Sequence, residues 1–598
     1  MRSARHAARP GARRAARHAA GTGPPPAAPA DQGHRQGLDQ PPDRCPDGPA
    51  PASRNGVASR NGVAPRNGAA GLGRSSALMA FGTVVSRATG LIRLVLQGAA
   101  LSTGLLATTY NVANSVPTSI YTLLIGGALN SVLVPQLVRA REQHPDGGRA
   151  HEQRIVTLVL CVLGAGTVLA VLAAPQIVSL YLTDTPSHHQ AFELAVEFAR
   201  FLLPQIFFYG LFAIFGQILN VRDRFGAMMW TPLLNNLVLI TLFGLYLGLV
   251  GGPHDATGVT AAQVRLLGLG TTLGIALQSL ALLPYLRDAG FVLRPRFDWR
   301  GTGLRASVTA ARWTLLFVLA NQVALTVVTR YSTDVDTALP TAGAGNTAYF
   351  FAQTIWLLPQ SVVTVTAVTA LLPRMSRAVA EQRLDDVRAD LSRGLRLTGL
   401  VIVPVAFFFL ALGPQLTSLL FGVGHHPGPT LPMGRMLQAF ALGLIPFSAQ
   451  YLLLRGFYAF QDTRTPFLMA VCISGTDIAL AAGCHQLLPA RWAVTGMAAA
   501  YSLSYLAGLL VTGARLRRRL EGRIDGRRLA RTYGKLVLAG ALAAAAAWAV
   551  TRADPTAAAP ALLGGGAVMA LLFLAAACAL RLPELRWTGA RLLGAVRR

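Results

Sequence analysis

Apolar residues along this chain occur in runs of similar length from about residue 77 onward. Each run is close to the ~20 residues that an α-helix needs to cross the hydrocarbon core of a bilayer, and short polar segments separate the runs. The pattern predicts an all-α polytopic membrane protein with about fourteen transmembrane helices. The predicted spans are 77–101, 107–138, 155–181, 192–219, 228–250, 262–286, 307–331, 345–372, 395–421, 436–460, 466–487, 493–514, 532–551 and 558–581.

The arginines between these runs alternate from one side of the predicted membrane to the other. When the first loop is taken as external, the internal loops carry dense arginine clusters, such as the one over 515–531. The external loops, such as 183–190 and 332–343, carry almost no positive charge. Because positive loops stay in the cytoplasm, the sequence predicts a multi-pass protein of the plasma membrane with both termini cytoplasmic.

Composition agrees with a membrane protein and sets the N-terminal segment apart from the rest of the chain. Of the 598 residues, 52% are hydrophobic and only 13% are charged. The net charge of +28 first suggests nucleic acid, but its placement between apolar runs argues against such a partner. Residues 1–76 are rich in Arg, Ala, Gly and Pro, which predicts a disordered cytoplasmic tail. The alternative is a contact of its arginines with anionic lipids or a partner protein.

The chain also resembles itself. VLVPQLVRA (132–140) recurs as ALLPRMSRA (370–378), so that Pro135 and Pro373 lie 238 positions apart, and Asp223 and Asp462 lie 239 apart. The repeat predicts two six-helix lobes of the same orientation (77–306 and 307–530), related by an axis along the membrane normal. Residues 531–598 then hold two extra helices and a basic tail. The alternative is shared helix-end chemistry without duplication.

Two arginines lie inside the first predicted span. Charge within a bilayer costs about 2.5–3.5 kcal/mol per residue on insertion scales, so Arg87 and Arg93 are candidate functional residues. Guanidinium groups suit the oxygens of a diphosphate. The two arginines do not share a face of an ideal helix, although a bend at Gly90 could turn both toward one cavity. The alternative for Arg87 is that it extends to the membrane surface.

Other polar side chains occur within the predicted spans. Asn111 and Asn114 share a face of helix 2, and Gln353 lies in helix 8; interhelical hydrogen bonding is the alternative to a cavity role. Asp477 in helix 11 is a candidate for coupling to a proton or cation, or for balancing a cavity arginine. The five cysteines form no cluster with metal-ligand spacing, and no catalytic motif is present. The sequence therefore predicts no metal, no cofactor and no catalytic residue.

Several motifs resemble one known family. SRATGLIR (86–93), NVANSVP (111–117), GGALNSVLVPQLVRA (126–140) and QDTRTP (461–466) are similar to segments of the MurJ/MviN family of lipid II flippases, in the MOP exporter superfamily. The resemblance covers roughly residues 77–590 and suggests an actinobacterial-type member. It implies a MATE-like fold with an arginine-lined central cavity, in which Ser86, Arg87 and Arg93 match cavity residues of helix 1.

The implied function is the transport of lipid II, an anionic polyprenyl-diphosphate-linked glycan, for peptidoglycan synthesis. By alternating access, the substrate would move from the cytoplasmic to the external leaflet. Membrane lipids and cell-wall synthesis proteins are the implied partners.

The sequence departs from the family pattern at charged positions of the cavity. Thr108 replaces an aspartate early in helix 2, Tyr121 and Thr122 replace an arginine pair, and Gln353 and Thr354 replace an Asp-Arg pair. The less charged cavity leaves open an exporter of another polyprenyl-diphosphate-linked glycan, or a MATE-like drug/cation antiporter.

Two further functions compete with transport. A membrane-embedded glycosyltransferase would need catalytic carboxylates in an external loop, where Asp334 and Asp336 are the only candidates. A scaffold for cell-wall enzymes would tolerate loss of the arginines in helix 1. We therefore expect a transporter and not an enzyme.

Overall fold

The computed structural model of the chain describes most of the residues from 68 to 581, and every regular element in that part is an α-helix. The described residues are 68–123, 137, 140–141, 148–222, 224, 226–251, 258–298, 304–422, 429–521, 525–553 and 558–581. Helices suit a bilayer because they satisfy their own backbone hydrogen bonds. The predicted tail up to residue 67, the basic end from 582, and the motif residues Pro135 and Asp223 lie outside the described residues.

Within the described residues, the first lobe contains nine helices, which fall in the first six predicted spans. They are α1 Gly68–Leu101, α2 Leu105–Leu123, α3 Arg149–Leu172, α4 Ala174–Val178, α5 His189–Leu202, α6 Gln205–Val221, α7 Gly226–Val250, α8 Ala261–Leu280 and α9 Leu283–Asp288. Helix α1 begins before the predicted start at residue 77, and so takes in the last residues of the segment that composition assigned to the tail. The pairs α3–α4, α5–α6 and α8–α9 each fill one predicted span.

The second lobe repeats this arrangement, and two helices follow it. The lobe contains α10 Leu304–Ala338, α11 Asn346–Ala380, α12 Leu384–Phe421, α13 Leu431–Ala441, α14 Leu444–Ala459, α15 Arg464–Leu487 and α16 Ala490–Arg519. The terminal pair is α17 Gly526–Ala553 and α18 Ala558–Ala579. The described helices can be grouped in the order of the predicted six, six and two spans, and the division into lobes stays a prediction.

Length and apolar composition identify fewer spans than this frame contains. Within the described residues, ten helices or unbent helix pairs are long and apolar enough to cross a membrane, and eleven if α13 and α14, which meet at 47°, count as one span. The remaining predicted spans are α1, α2 and α11. Helices α1 and α2 border residues that lie outside the described part, and some side chains of α11 are not described.

Broken helices occur at equivalent places in the two lobes. Pro204 is the N-cap of α6 and Gly443 is the N-cap of α14, 239 positions later. Proline breaks a helix by removing a backbone donor, whereas a Cβ on Gly443 would collide with Ser502 of α16. Breaks of different chemistry at the same place support a parallel repeat rather than a chance likeness of helix ends.

Each lobe has its own aromatic core. In the first lobe the ring of Tyr110 packs edge-on against Phe198 and Phe243. In the second lobe Trp356 packs against Phe440, and Leu94 of α1 belongs to the same buried cluster. Helix α1 therefore lies at the boundary between the lobes. The terminal pair packs against α12 through a separate cluster.

Candidate substrate path between the lobes

The two lobes are hydrogen-bonded to each other at one end, which we call the closed end. Here α1 ends and α2 begins in the first lobe, and α10 ends and α11 begins in the second. The hydroxyl of Thr108 donates to Asp336 Oδ2 at 2.6 Å and lies 3.0 Å from the hydroxyl of Thr347. Asn111 Nδ2 donates to Thr347 Oγ1 at 3.1 Å. All four side chains are buried.

This network lies on the repeat axis. Thr108 and Thr347 are 239 positions apart, which is the offset of the internal repeat. Residues equivalent by the repeat touch one another only near the axis that relates the lobes. Their contact therefore lies near the predicted pseudo-two-fold axis, and the direction of that axis along the membrane normal stays a prediction.

Further hydrogen bonds join the lobes around the rim of the closed end. Arg330 of α10 donates from Nη1 to the carbonyl oxygen of Ser179 at 2.8 Å and from Nη2 to Thr183 Oγ1 at 3.1 Å. His188 Nε2 lies 3.2 Å from the carbonyl oxygen of Thr337. The main helix packing between the lobes is made by α1 and α2 against α10, α11 and α12.

The closed end corrects the predicted loop at 332–343. Helix α10 continues to Ala338, so both Asp334 and Asp336 lie in a helix and not in an external loop. Asp336 is only 3% exposed and accepts a hydrogen bond from the backbone N–H of Asn346 at 2.7 Å. The carboxylate thus satisfies one of the free donors at the start of α11. A residue held in this way is poorly suited to the catalytic role considered for it.

Arg87 lies on the side of α1 that faces the second lobe. It shares this side with Leu91, Leu94 and Gly98, one to three turns nearer the closed end. Leu91 and Leu94 pack into the core of the second lobe, and a Cβ on Gly98 would collide with Phe421 of α12. Arg87 itself is exposed, and no hydrogen bond or ion pair joins it to the described residues. Its role in substrate binding stays a prediction.

Arg93 points into the first lobe instead. Its Nε is buried and has no hydrogen-bond partner among the described residues, and its charge lies within electrostatic range of the hydroxyls of Tyr110 and Tyr209. Helix α1 runs unbroken through Gly90. The two arginines therefore occupy different surroundings, as the ideal-helix geometry indicates, and the common cavity suggested for them is not formed by a break in the helix.

Ser86 and Asn236 attach α1 to α7 on the side opposite Arg87. Asn236 Nδ2 donates to the carbonyl oxygen of Ser86 at 3.0 Å and lies 3.1 Å from Thr89 Oγ1. The backbone of Ser86 therefore helps to fix the rotation of α1. Contact of its side chain with substrate stays a prediction.

The predicted amides have different surroundings. Asn111 has a partner at both its amide nitrogen and its amide oxygen, because Oδ1 also accepts a hydrogen bond from Gln97 Nε2 at 2.8 Å. Asn114 Oδ1 accepts from Gln205 Nε2 at 3.3 Å. These contacts are the interhelical bonds considered as the alternative. Gln353, the repeat counterpart of Asn114, is half-buried and makes no hydrogen bond with the described residues, whereas Thr354 shares the face of Thr347.

Asp477 is buried in the second lobe without a partner. Its side chain is 4% exposed, and Oδ1 has no hydrogen bond among the described residues. Its charge lies within electrostatic range of Tyr349, Tyr501 and Tyr505. No ion pair with an arginine is formed in the described part of the chain, so the charge-balance role lacks a visible partner and the coupling role stays a prediction.

Sequence reasoning missed the joint role of Thr108, Asp336 and Thr347. Thr108 was noted only as a replaced position, and Asp336 only as a possible catalytic group. The repeat offset was the available signal, since it pairs Thr108 with Thr347. Applied to helix ends as well as to motifs, the offset would have identified these two residues as equivalents, although it does not predict that they touch.

Comparison with known proteins identifies the family. The family described as lipid II flippase MurJ matches residues 98–559. A probable lipid II flippase MurJ of Rhizobium meliloti is 28% identical over 413 residues, which are 67% of this chain and 72% of the relative. The lipid II flippase MurJ of Burkholderia cenocepacia is 27% identical over 396 residues, 65% of this chain and 73% of the relative.

Solved structures show the same fold. A lipid II flippase MurJ in an inward closed conformation superposes with a TM-score of 0.68 at 19% identity, covering 84% of this chain and 98% of that one. An inward-facing multidrug resistance MATE family transporter of the MOP superfamily gives 0.56 at 16% identity, covering 73% and 96%. The chain thus shares its architecture with both groups and is closer in shape to the first of these two structures.

Proposed function

Because the chain belongs to the MurJ lipid II flippase family, we propose that it carries lipid II from the cytoplasmic to the external leaflet through the space between its two lobes. The family makes the chain a membrane transporter and not an enzyme, and places its role in peptidoglycan synthesis. The MATE-like fold alone does not favour a drug/cation antiporter, since the family match covers most of the chain.

The orientation follows from the distribution of arginine. The loops near the closed end are poor in positive charge, whereas the opposite end carries the arginine-rich segments at α11–α12 and at the end of α16. By the positive-inside rule, the closed end is external and both termini are cytoplasmic, in the plasma membrane. The structure then corresponds to a state sealed toward the outside, ready to receive substrate from the cytoplasmic side.

Arg87 carries the proposal for substrate binding. It is exposed, it has no partner among the described residues, and it lies on the side of α1 that faces the second lobe. An unpaired guanidinium beside the lobe boundary suits the diphosphate of a lipid-linked glycan. Gln353 is the second candidate for contact with substrate. Ser86, Asn111 and Asn114 hold the helices around the path.

The half-buried Arg93 and the buried Asp477 complete the proposal. Arg93 supplies positive potential inside the first lobe, which favours an anionic headgroup near α1. Asp477 is the candidate for coupling transport to a proton or cation. Contacts with cell-wall synthesis proteins are a finer expectation from the family.

A depletion experiment tests this function. The host gene is repressed, variants are supplied, and lipid II accessible at the external face is measured. A charge-assisted hydrogen bond contributes about 1.5–3 kcal/mol, so Arg87→Ala is expected to lower external lipid II about ten- to a hundredfold at normal protein levels, and Arg87→Lys less.

The matched control is Arg265→Ala, because Arg265 is also exposed and unpartnered among the described residues but lies on α8. Normal external lipid II in depleted cells would rule out the transport function. Normal transport by Arg87→Ala would leave the function standing and remove Arg87 from the site.

A further inference from the structure

A deep apolar groove lies on the second lobe, away from the lobe boundary. It has a volume of about 820 Å³ and opens between α12, α14, α16 and α17. None of α14, α16 and α17 takes part in the main packing between the lobes. The groove follows the seam where the terminal helix pair joins the lobe, between two buried clusters. It is therefore separate from the proposed substrate path.

The walls of the groove are almost entirely hydrocarbon. Leu453 of α14, Leu509 and Leu510 of α16, and Leu529 of α17 line it. Tyr533 forms part of the wall, and its hydroxyl donates to the carbonyl oxygen of Leu395 at 2.8 Å, so that its ring presents an apolar face. Such a surface requires an apolar occupant.

Glycine keeps the groove open. Gly513 of α16 and Gly526 at the start of α17 both line it, and a Cβ at either position would meet no atom within 4 Å. No side chain of the described residues fills this space. The groove can therefore hold a chain of CH₂ groups without any rearrangement of the protein, and each CH₂ buried contributes about 0.8 kcal/mol.

One end of the groove is positively charged. Arg517, near the end of α16, and Arg527, in the first turn of α17, both line it. Arg527 is exposed and has no hydrogen-bond or ion-pair partner among the described residues. Arg515 and Arg518 are exposed close by. A basic end beside an apolar interior matches the division of an anionic lipid into headgroup and chain.

The depth of the groove matches one leaflet. From Arg517 to Leu509 is eight residues of α16, or about 12 Å along the helix, and Leu453 to Ile445 covers the same distance on α14. Half of the hydrocarbon core is about 15 Å thick. The groove is thus long enough for the acyl chain of one leaflet, and it ends before it could take a chain that crosses both.

We propose that this groove is a binding site for an anionic glycerophospholipid. An acyl chain lies between α14, α16 and α17, and the phosphate is held by Arg517 and Arg527. The bound lipid fills the seam and fastens the terminal pair to the second lobe. The site is independent of transport, since it requires neither Arg87 nor the space between the lobes.

Native mass spectrometry of the full-length protein tests the site. The protein is stripped of lipid in detergent and then incubated with phosphatidylglycerol or phosphatidylcholine of identical chains. We expect the parent protein to retain one phosphatidylglycerol in preference to phosphatidylcholine. Arg527→Gln is expected to weaken retention about fivefold, and Gly513→Leu to abolish it by filling the groove.

Matched controls come from the neighbouring helices. Gly564 of α18 also faces open space, and Arg531 of α17 is exposed and does not line the groove. Gly564→Leu and Arg531→Gln should therefore retain phosphatidylglycerol like the parent. Loss of binding in these controls, or full binding in Gly513→Leu, would overturn the location of the site.

Two further results would overturn the identity of the occupant. Equal retention of phosphatidylcholine would remove the role of the arginines. Displacement of phosphatidylglycerol by an equimolar polyprenyl diphosphate, with Gly513→Leu losing both, would assign the groove to the transported lipid and not to a resident one.

Discussion

The two lobes bury an equivalent tyrosine each but place opposite charges near it. Tyr110 and Tyr349 are equivalent by the repeat, and each is buried in the core of its lobe. In the first lobe the nearby charge is Arg93, whereas in the second it is Asp477. Neither charge is neutralised by an ion pair with a described residue. The equivalent tyrosines thus lie near charges of opposite sign.

The difference shows which parts of a repeat are free to diverge. The buried tyrosines and the positions of the helix breaks are shared, whereas the aromatic rings that pack against the tyrosines differ. A charge inside the membrane costs about 2.5–3.5 kcal/mol on insertion scales, so it does not arise from packing requirements. The opposite charges fit the different tasks proposed for them, anion attraction in the first lobe and coupling in the second.

The largest expected effect comes from removing the charge of the first lobe. Arg93→Gln should lower lipid II transport about ten- to a hundredfold, because it removes the positive potential and up to one charge-assisted contact. External lipid II in depleted cells is the measurement. Arg200→Gln is the control, since Arg200 is an exposed arginine of the same lobe. Equal activity of Arg93→Gln and the control would show that Arg93 is not needed.

Smaller effects are expected for two carboxylates of the second lobe, and their effects on the unfolding midpoint should have opposite signs. Asp477→Asn removes an unpartnered charge, and should raise the unfolding midpoint in detergent by roughly 2–4 °C while slowing transport. Asp336→Asn should lower the midpoint, because Asp336 accepts hydrogen bonds from Thr108 and Asn346. Shifts of the same sign in both variants would contradict the distinction between the two residues.

Valine substitutions of the two threonines at the axis should weaken the contact between the lobes. Thr108→Val and Thr347→Val each remove hydroxyls of the closed end without changing volume, and the pair should show a coupling of about 0.5–1.5 kcal/mol. Distances between spin labels on the two lobes would report the fraction of open molecules. Thr122→Val is the control, since the hydroxyl of Thr122 donates to the carbonyl oxygen of Thr118 within α2. Strict additivity would show that the two hydroxyls act separately.

The smallest expected effect concerns loop carboxylates paired with arginine. Burial opposes ionisation of Asp462, but hydrogen bonds from Thr465 and the charge of Arg519, 2.8 Å away, outweigh it and lower the pKa of Asp462. The hydrogen bond from Arg154 lowers the pKa of Asp298 in the first lobe. A lowered carboxyl pKa stabilises the fold above the ordinary value near 3.9, and this stabilisation is lost as the pH falls through the lowered pKa.

A thermal series at different pH values measures this effect. Asp462→Asn should lower the midpoint at pH 7 by on the order of 1 °C and should weaken its fall between about pH 4 and pH 2. Asp298→Asn should lower the midpoint by a smaller amount, because the side chain of Asp298 is 56% exposed. A larger midpoint shift for Asp298→Asn than for Asp462→Asn would contradict this expectation.

Most of the helical frame could be predicted from the sequence. Apolar runs of bilayer length, arginine-rich loops and two short repeats are local signals, and they predicted six, six and two spans. The ends were less accurate. Helix α10 runs to Ala338, past the predicted end at 331, because Asp336 finds partners in α2 and α11 that make further helix favourable. Hydropathy contains no information about such partners.

The candidate site was predictable only in part. Charge in an apolar run identified Arg87, Arg93 and Asp477 as unusual, and all three lack ion-pair partners among the described residues. Their directions could not be predicted, since rotation of α1 is fixed by Asn236 of α7, far along the chain. The sequence leaves two roles for the amide of Asn111, contact with substrate in the cavity or hydrogen bonding between helices. Its two hydrogen bonds favour the second role.

The chemistry of the closed end has a consequence for the speed of opening. An apolar seal would resist wetting, because every separated contact would expose hydrocarbon to water. Here the groups at the axis are hydroxyls, an amide and a carboxylate, which water can hydrate as they part. Since a hydrogen bond exchanged with water costs only about 0.5–1.5 kcal/mol, incoming water lowers the barrier to opening as well as the cost of staying open. The contact at the closed end is therefore stable while water is excluded and weaker once water enters. This property suits a contact that must open again in every transport cycle.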